Sequence, residues 1–224
     1  YNNPSYEQHR LKIPWRSVIC GSSGSGKSQL VLEIISRCKN TFELIILCIK
    51  VADEPLYQYL RQQLPQELLH IYEDGKVPNL EDYKTFQGQV LFIADDLVNE
   101  KKAQTPLQEW WLRGRKACGG VSMCYLTQSY FKCPKFIRIN SQYIFLKKLS
   151  SIKDLNLILR DYDTGMSRDA LMGMYDYSTD DGGTLLIDCE APLRERFRKN
   201  FLEILDPKDY EPLREKKSLI KKNK

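Results

Sequence analysis

The chain has 224 residues, 42% of them hydrophobic and 28% charged, and a formal net charge of +5. That balance excludes a disordered or low-complexity polypeptide, and the length suits one α/β domain with a short appendage better than two full domains. No run approaches the roughly 18 consecutive apolar residues of a membrane span, and Tyr-Asn-Asn-Pro at the start lacks the pattern of a secretory leader, so a soluble, intracellular protein without a membrane segment is expected.

Strand-length apolar runs occupy residues 17–20, 43–49, 89–95, 121–127, 142–146 and 184–188, with a weaker one at 68–72. Stretches with helical periodicity separate them, the pattern of βαβ units and a largely parallel sheet. The first helix, 27–38, sets Leu30, Val31, Ile34 and Ile35 opposite Glu33 and Arg37. Further helices are expected at 54–63, at 105–118 with Thr105 as N-cap and Pro106 in the first turn, and at 151–162 with Ser151 as cap. A main domain over 1–205 and a basic tail over 206–224 are expected from the lysines Lys216, Lys217, Lys221, Lys222 and Lys224. The Arg194–Lys199 cluster is open to a ring pore, a phosphate backbone, a subunit contact or a solvated face.

Seven cysteines is an odd number. Cys20 and Cys48 lie inside apolar runs, while Cys118, Cys124 and Cys133 lack paired C-x-x-C spacing and a nearby histidine. Buried thiols in a reducing compartment are expected rather than a zinc site. Of Trp110 and Trp111, at least one should face the core.

The chemistry begins at Gly21-Ser22-Ser23-Gly24-Ser25-Gly26-Lys27-Ser28, which fits G-x-x-x-x-G-K-[ST] at every fixed position and lies between a strand and a helix. Glycines let backbone N–H groups converge on phosphate oxygens, and the helix N-terminus adds positive dipole. Lys27 should reach the β- and γ-phosphates of ATP, and the Ser28 hydroxyl should ligate Mg²⁺. The run Val90–Ala94 delivers Asp95 and Asp96 to the C-terminal end of its strand, the rim where parallel sheets bind ligands. Asp95 is expected in the Mg²⁺ shell and Asp96 at the attacking water, with Glu100 a weaker base. Gln128, at the end of the next strand, can sense the γ-phosphate or orient that water. Arg113-Gly-Arg115-Lys116 offers either favourable helix-terminal charge or an arginine finger for a neighbouring subunit, with Arg115 preferred.

These segments resemble the FtsK–HerA superfamily, in particular the DNA-packaging ATPases of poxvirus-like large DNA viruses, virophages and Polinton-type elements. The P-loop, Phe-Ile-Ala-Asp-Asp-Leu at 92–97, Arg-Gly-Arg-Lys at 113–116, Leu-Thr-Gln-Ser-Tyr-Phe at 126–131 and Ile-Arg-Ile-Asn at 137–140 carry the resemblance. It implies an α/β fold, a RecA-like P-loop NTPase with a mainly parallel central sheet flanked by helices. It further implies a homo-oligomeric ring, a pentamer or hexamer, that moves double-stranded DNA into a preformed capsid through a contact at the capsid vertex, at a viral assembly site in the host cell or in the virion. Arg138 of the Arg-x-Asn element is either a second nucleotide-contacting arginine or structural. The chain departs from that pattern at Asp96, where relatives carry glutamate, and at Lys116, where they often carry histidine. A non-packaging translocase or helicase remains an alternative. So does a nucleotide kinase, although the segment 161–181, where a kinase lid would fall, has only Arg168.

Overall fold

The computed structural model describes residues 2–51, 54–161 and 166–211. In chain order these form α1 (Tyr6–His9), β1 (Arg16–Cys20), α2 (Lys27–Arg37), β2 (Leu44–Cys48), α3 (Pro55–Gln63), β3 (Leu69–Tyr72), β4 (Val90–Asp95), α4 (Lys101–Arg113), β5 (Val121–Thr127), α5 (Lys135–Arg138), β6 (Tyr143–Leu146), α6 (Lys153–Asp161), α7 (Arg168–Thr179), β7 (Leu185–Asp188), β8 (Phe197–Lys199) and β9 (Glu203–Ile204). All seven strand-length runs read from the sequence are strands.

One nine-stranded sheet runs β3-β2-β4-β5-β1-β6-β7-β8-β9. Strands β3 through β6 are parallel, and β6 through β9 are antiparallel. The parallel strands are apolar on both faces because helices cover both. Ile19, Leu47, Leu91, Ile93, Leu126 and Phe145 pack with Leu30, Val31 and Ile34 of α2 and Tyr57 and Leu60 of α3. On the other face, Val18, Ile46, Phe92, Met123, Tyr125 and Ile144 meet Leu107, Trp110 and Trp111 of α4, Leu155 and Ile158 of α6, and Leu171 and Met174 of α7. Both tryptophans are buried; Trp110 stacks on Phe92 at 4.8 Å and donates its indole N–H to the Pro78 carbonyl. The seven cysteines are thiols, and the described residues contain no metal-ligating cluster of three or more His, Cys, Asp or Glu side chains.

Three parts of the fold differ from the sequence reading. Helix α4 starts at Lys101, so Thr105 and Pro106 lie inside it. Its buried stripe of Ala103, Leu107, Trp110 and Trp111 begins before the proline, and Gln104 ties the start down by donating to the carbonyls of Leu97 and Glu100. Burial of that stripe outweighs the one backbone hydrogen bond that proline removes. Helix α7 had no sequence forecast, yet Ala170, Leu171, Met174, Tyr175 and Ser178 follow helical spacing and are buried, and Ser167 caps it by accepting from the Ala170 N–H. The third difference is in the Arg194–Lys199 cluster. Phe197–Lys199 is a strand, and Arg198 is only 3% exposed, donating to Asp188 at 3.1 Å and to the carbonyls of Arg10 and Phe201. Lys199 pairs with Asp181 at 2.7 Å. These two cations are engaged within the chain, at the antiparallel end of the sheet.

Residues 207–210, placed on the tail side of the boundary at 205/206, form a helical turn against α7, with Tyr210 beside Gly173. The lysines Lys216, Lys217, Lys221, Lys222 and Lys224 lie outside the described residues.

Removing one partner of a buried ion pair leaves the other uncompensated. Asp188→Ala should therefore lower the unfolding free energy by about 3–5 kcal/mol in urea denaturation, and the double change Asp188→Leu with Arg198→Met should recover most of it.

Candidate functional site

Strand register builds the site. Cys20, the last residue of β1, is level with Thr127 of β5 and Leu146 of β6, and Asp95 of β4 is level with Leu126. The C-terminal ends of four neighbouring strands therefore form one rim. The P-loop is pinned there from both sides: Gly21 N–H donates to the Thr127 carbonyl at 3.2 Å, and Ser22 N–H to the Lys148 carbonyl at 2.8 Å. Gly24 and Gly26 have φ of 72° and 91°, left-handed backbone that glycine adopts without a Cβ penalty. Gly26 caps α2 without a side-chain hydrogen bond, which leaves the first-turn N–H groups of that helix directed at the cleft.

The cleft, ≈450 Å³, is lined by the P-loop residues Ser23, Gly24, Gly26, Lys27 and Ser28, by Asp95 and Asp96, and by Gln128. The ammonium of Lys27 donates to the carbonyls of Gly21 and Ser22 at 2.9 and 3.0 Å. Asp96 adopts φ 52° and accepts from the Gln128 amide at 3.2 Å, so the acid and the glutamine act on one point of the rim. Behind Gln128, the buried Asp154 carboxylate accepts from the Ser129 hydroxyl and the Phe131 N–H, fixing the loop. Thr127 is a strand-end cap, its hydroxyl bonded to the Ser129 carbonyl.

Two further residues belong to this site and were not singled out in the sequence. Glu54, just before α3, accepts from the Ser28 hydroxyl at 3.1 Å. Tyr57, one turn later and buried, donates to Asp95. Their signal was positional: an acid opening the helix after β2, a strand whose C-terminal end borders the rim. Glu100 is engaged by Lys50 at 3.1 Å, which argues against its use as a base.

The donor set fits Mg²⁺. Ser28, Asp95 and Glu54 offer hard oxygens, and the 3.1 Å between Ser28 Oγ and Glu54 Oε2 is close to the edge of about 3 Å between adjacent ligands in a Mg²⁺ octahedron. Burial raises the Asp95 carboxyl to about 6, with Glu54 and Asp96 adding to the rise and the Tyr57 hydrogen bond and Lys27 opposing it.

Arg113 and Arg115 are not brought into this cleft. They lie beyond the N-terminal end of β5, about 20 Å from the rim given the length of that seven-residue strand. There they border a second cleft, ≈660 Å³, with Arg16, Lys84, Lys116 and Glu81. Arg113 is paired with Glu109 at 2.7 Å, whereas Arg115 forms no ion pair among the described residues. Burial, then the proximity of Arg115, lowers the Arg16 pKa. Arg138 is held within its own subunit by Asp161 and the Cys133 carbonyl, over the Tyr130 ring, which favours the structural reading.

Solved structures share this fold. The genome packaging NTPase B204 from Sulfolobus turreted icosahedral virus 2 in complex with AMPPCP aligns with a TM-score of 0.57 at 15% identity, over 80% of this chain and 94% of that chain. Its complex with ATP-gammaS gives 0.55 at 15% identity over the same shares. EssC (ATPases 2 and 3) from Geobacillus thermodenitrificans gives 0.53 at 13% identity, over 89% of this chain and 41% of that chain. The fold is thus that of P-loop ATPases, as the sequence reading expected. No protein-family model and no curated protein matches the chain. Among the described residues, no helix is long and apolar enough to cross a membrane.

Because the folded-state pKa of Asp95 lies above its ordinary value of 3.8, the folded protein holds a proton between pH 3.8 and about 6 that the unfolded chain has lost. Metal-free stability should therefore fall as pH rises across that window, by at most about 1.4 kcal/mol per pH unit, and level off above it. Asp95→Asn should flatten the slope and raise metal-free stability at pH 7, measured by urea titration at several pH values.

Proposed function

We propose that this chain is an ATPase of the FtsK–HerA kind that works as a ring of identical subunits to translocate double-stranded DNA, and specifically to package a viral genome into a preformed capsid. The observation that carries the reading is the convergence of Lys27, Ser28, Asp95, Asp96 and Gln128 on one rim. The likeness to a genome packaging NTPase over nearly the whole of that protein supports the packaging role.

In this reading the P-loop N–H groups and Lys27 hold the ATP phosphates, and Ser28, Asp95 and Glu54 would hold Mg²⁺, which would supply positive charge to the phosphate groups. Gln128 orients a water molecule for attack on the γ-phosphorus, and Asp96 accepts its proton. The bond between the γ-phosphorus and the bridging oxygen breaks, leaving ADP and inorganic phosphate. Arg115, too far away to serve its own cleft, stabilises the transferring phosphoryl group in the next subunit.

A nucleotide kinase has less support. It must hold a second anionic substrate over the cleft, yet among the described residues the only lysines or arginines lining that cleft are Lys27 and Lys50, and Glu100 engages Lys50.

ATP hydrolysis should rise on addition of double-stranded DNA, with the stimulation weakening steeply as salt increases. Lys27→Ala and Asp95→Ala should each reduce it by about 100-fold or more. Transfer of phosphate to a nucleoside monophosphate would overturn the motor reading, and hydrolysis indifferent to DNA would leave only the nucleotide site standing.

Arg115→Ala should cost about 10³-fold in turnover. Mixing Arg115→Ala with Lys27→Ala subunits should restore part of the activity, because some interfaces then pair an intact P-loop with an intact arginine. No recovery at any ratio would refute action in trans.

A further inference from the structure

Lys147 continues β6 beyond Leu146, its N–H bonded to the Cys20 carbonyl at 2.8 Å. The residue is 8% exposed. Its side chain runs beneath the P-loop from the first glycine to the last: Lys147 Cβ lies 2.7 Å from where a Cβ on Gly21 would sit, and its Cε and Nζ lie 3.3 and 3.7 Å from the corresponding position on Gly26. A side chain at Gly21 would therefore collide with this stem. The lysine and the glycines of the loop are one packed unit.

The Nζ donates to the Gly182 carbonyl at 2.5 Å, and among the described residues it has no carboxylate within ion-pair distance. The two acids whose fields reach it are otherwise engaged: Glu33 with Arg37 at 2.8 Å, and Asp181 with Lys199 at 2.7 Å and the Gly183 N–H at 3.0 Å. A partly buried ammonium without a carboxylate partner is costly, so its retention calls for a compensating anion. The nearest feature built to hold one is the P-loop itself, whose backbone N–H groups converge on phosphate just above.

We propose that Lys147 is a second phosphate-binding cation of the P-loop, acting from beneath the loop on the polyphosphate of a nucleoside di- or triphosphate while Gly182 anchors its ammonium. This rests on the reading of residues 21–28 as a nucleotide site and adds a charge that the G-x-x-x-x-G-K-[ST] pattern does not contain. It also links the phosphate site to the turn between α7 and β7, which carries Gly182.

The test is Lys147→Met, which keeps the stem and removes the charge, alongside Lys147→Arg and Lys27→Ala. Binding of ADP and pyrophosphate is measured by calorimetry, and thermal unfolding is measured without ligand. Lys147→Met should bind both probes at least about tenfold more weakly, Lys147→Arg should stay close to the parent, and the ligand-free melting temperature of Lys147→Met should be unchanged or higher, since a buried unpaired charge is gone. A purely structural lysine predicts the opposite, a lower melting temperature with affinity within twofold of the parent, and that result overturns the proposal. Equal losses in the Arg and Met variants would also overturn it, by showing that packing rather than charge matters. Should Lys147→Met fail to fold, the ε-methylene ¹³C signal of Lys147 in the parent protein is followed during pyrophosphate titration; a shift that saturates with binding supports the proposal, and a signal that does not move overturns it. A parent protein that binds neither probe refutes the nucleotide site itself, whereas binding lost in Lys27→Ala but intact in Lys147→Met refutes only the role of Lys147.

Discussion

Everything at the rim depends on how the P-loop is clamped between the ends of two strands. The hydrogen bonds from Gly21 to Thr127 and from Ser22 to Lys148 are continuations of the β1–β5 and β1–β6 ladders, so the loop begins as sheet and inherits its rigidity. Parallel register then fixes the rest. Asp95 lies level with Leu126, Gln128 follows Thr127, and the side chains that meet across the cleft do so because their strands end at the same height. A shift of one residue in any of these strands would turn its inward side chains to the opposite face and dismantle the site with the core.

The site is held together at some cost to stability. Asp95 is a half-buried carboxylate beside two other acids, Glu54 and Asp96, and is held by Tyr57 from the opposing helix. Glu54 occupies the hydroxyl of Ser28. Concentrated negative charge in a partly desolvated cleft is unfavourable alone and favourable around a divalent cation, so under the proposed reading the residues that weaken the metal-free protein would pre-organise it for Mg²⁺. Both contacts come from the start of α3, Glu54 at its N-cap position and Tyr57 in its first turn, which makes that helix start the element most directly exposed to the state of the site.

The sequence conveyed the parallel core almost completely, because strands buried on both faces read as continuous apolar runs and β1, β2, β4, β5 and β6 are such strands, whereas the edge strand β3 is only partly buried and read more weakly. The P-loop and the Asp-Asp strand end were legible for a different reason: their chemistry demands particular residues at particular spacings. What escaped notice was set by tertiary contact. Helix α7 carries Gly173 and several tyrosines and aspartates, so its buried stripe is diluted by residues of low helix propensity. Arg198 sits in a run of cations that resembles a solvated face, and only pairing with Asp188 across the β7–β8 ladder explains its burial. Glu54, Tyr57 and Lys147 fit no motif; each gains its place from an element that folds over or under the loop from elsewhere in the chain.

The sheet is also polar in a functional sense. The C-terminal ends of the central strands carry the candidate nucleotide cleft, and their N-terminal ends, some 20 Å away along β5, carry Arg115 beside Arg16 and Lys116 in a cleft where cations outnumber acids. Guanidinium groups set close together repel one another, and an anionic surface relieves that repulsion. In the proposed ring, the acid-lined rim of an identical subunit would be such a surface. Contact between unlike ends of identical chains is heterologous, and with the right rotation it closes into a ring. Each nucleotide would then lie between two subunits, so hydrolysis in one would alter the contact that holds the next. Under the proposed reading, a sheet with Asp95 and Asp96 at one end and Arg115, which forms no ion pair among the described residues, at the other would have the asymmetry that sequential action around a ring requires.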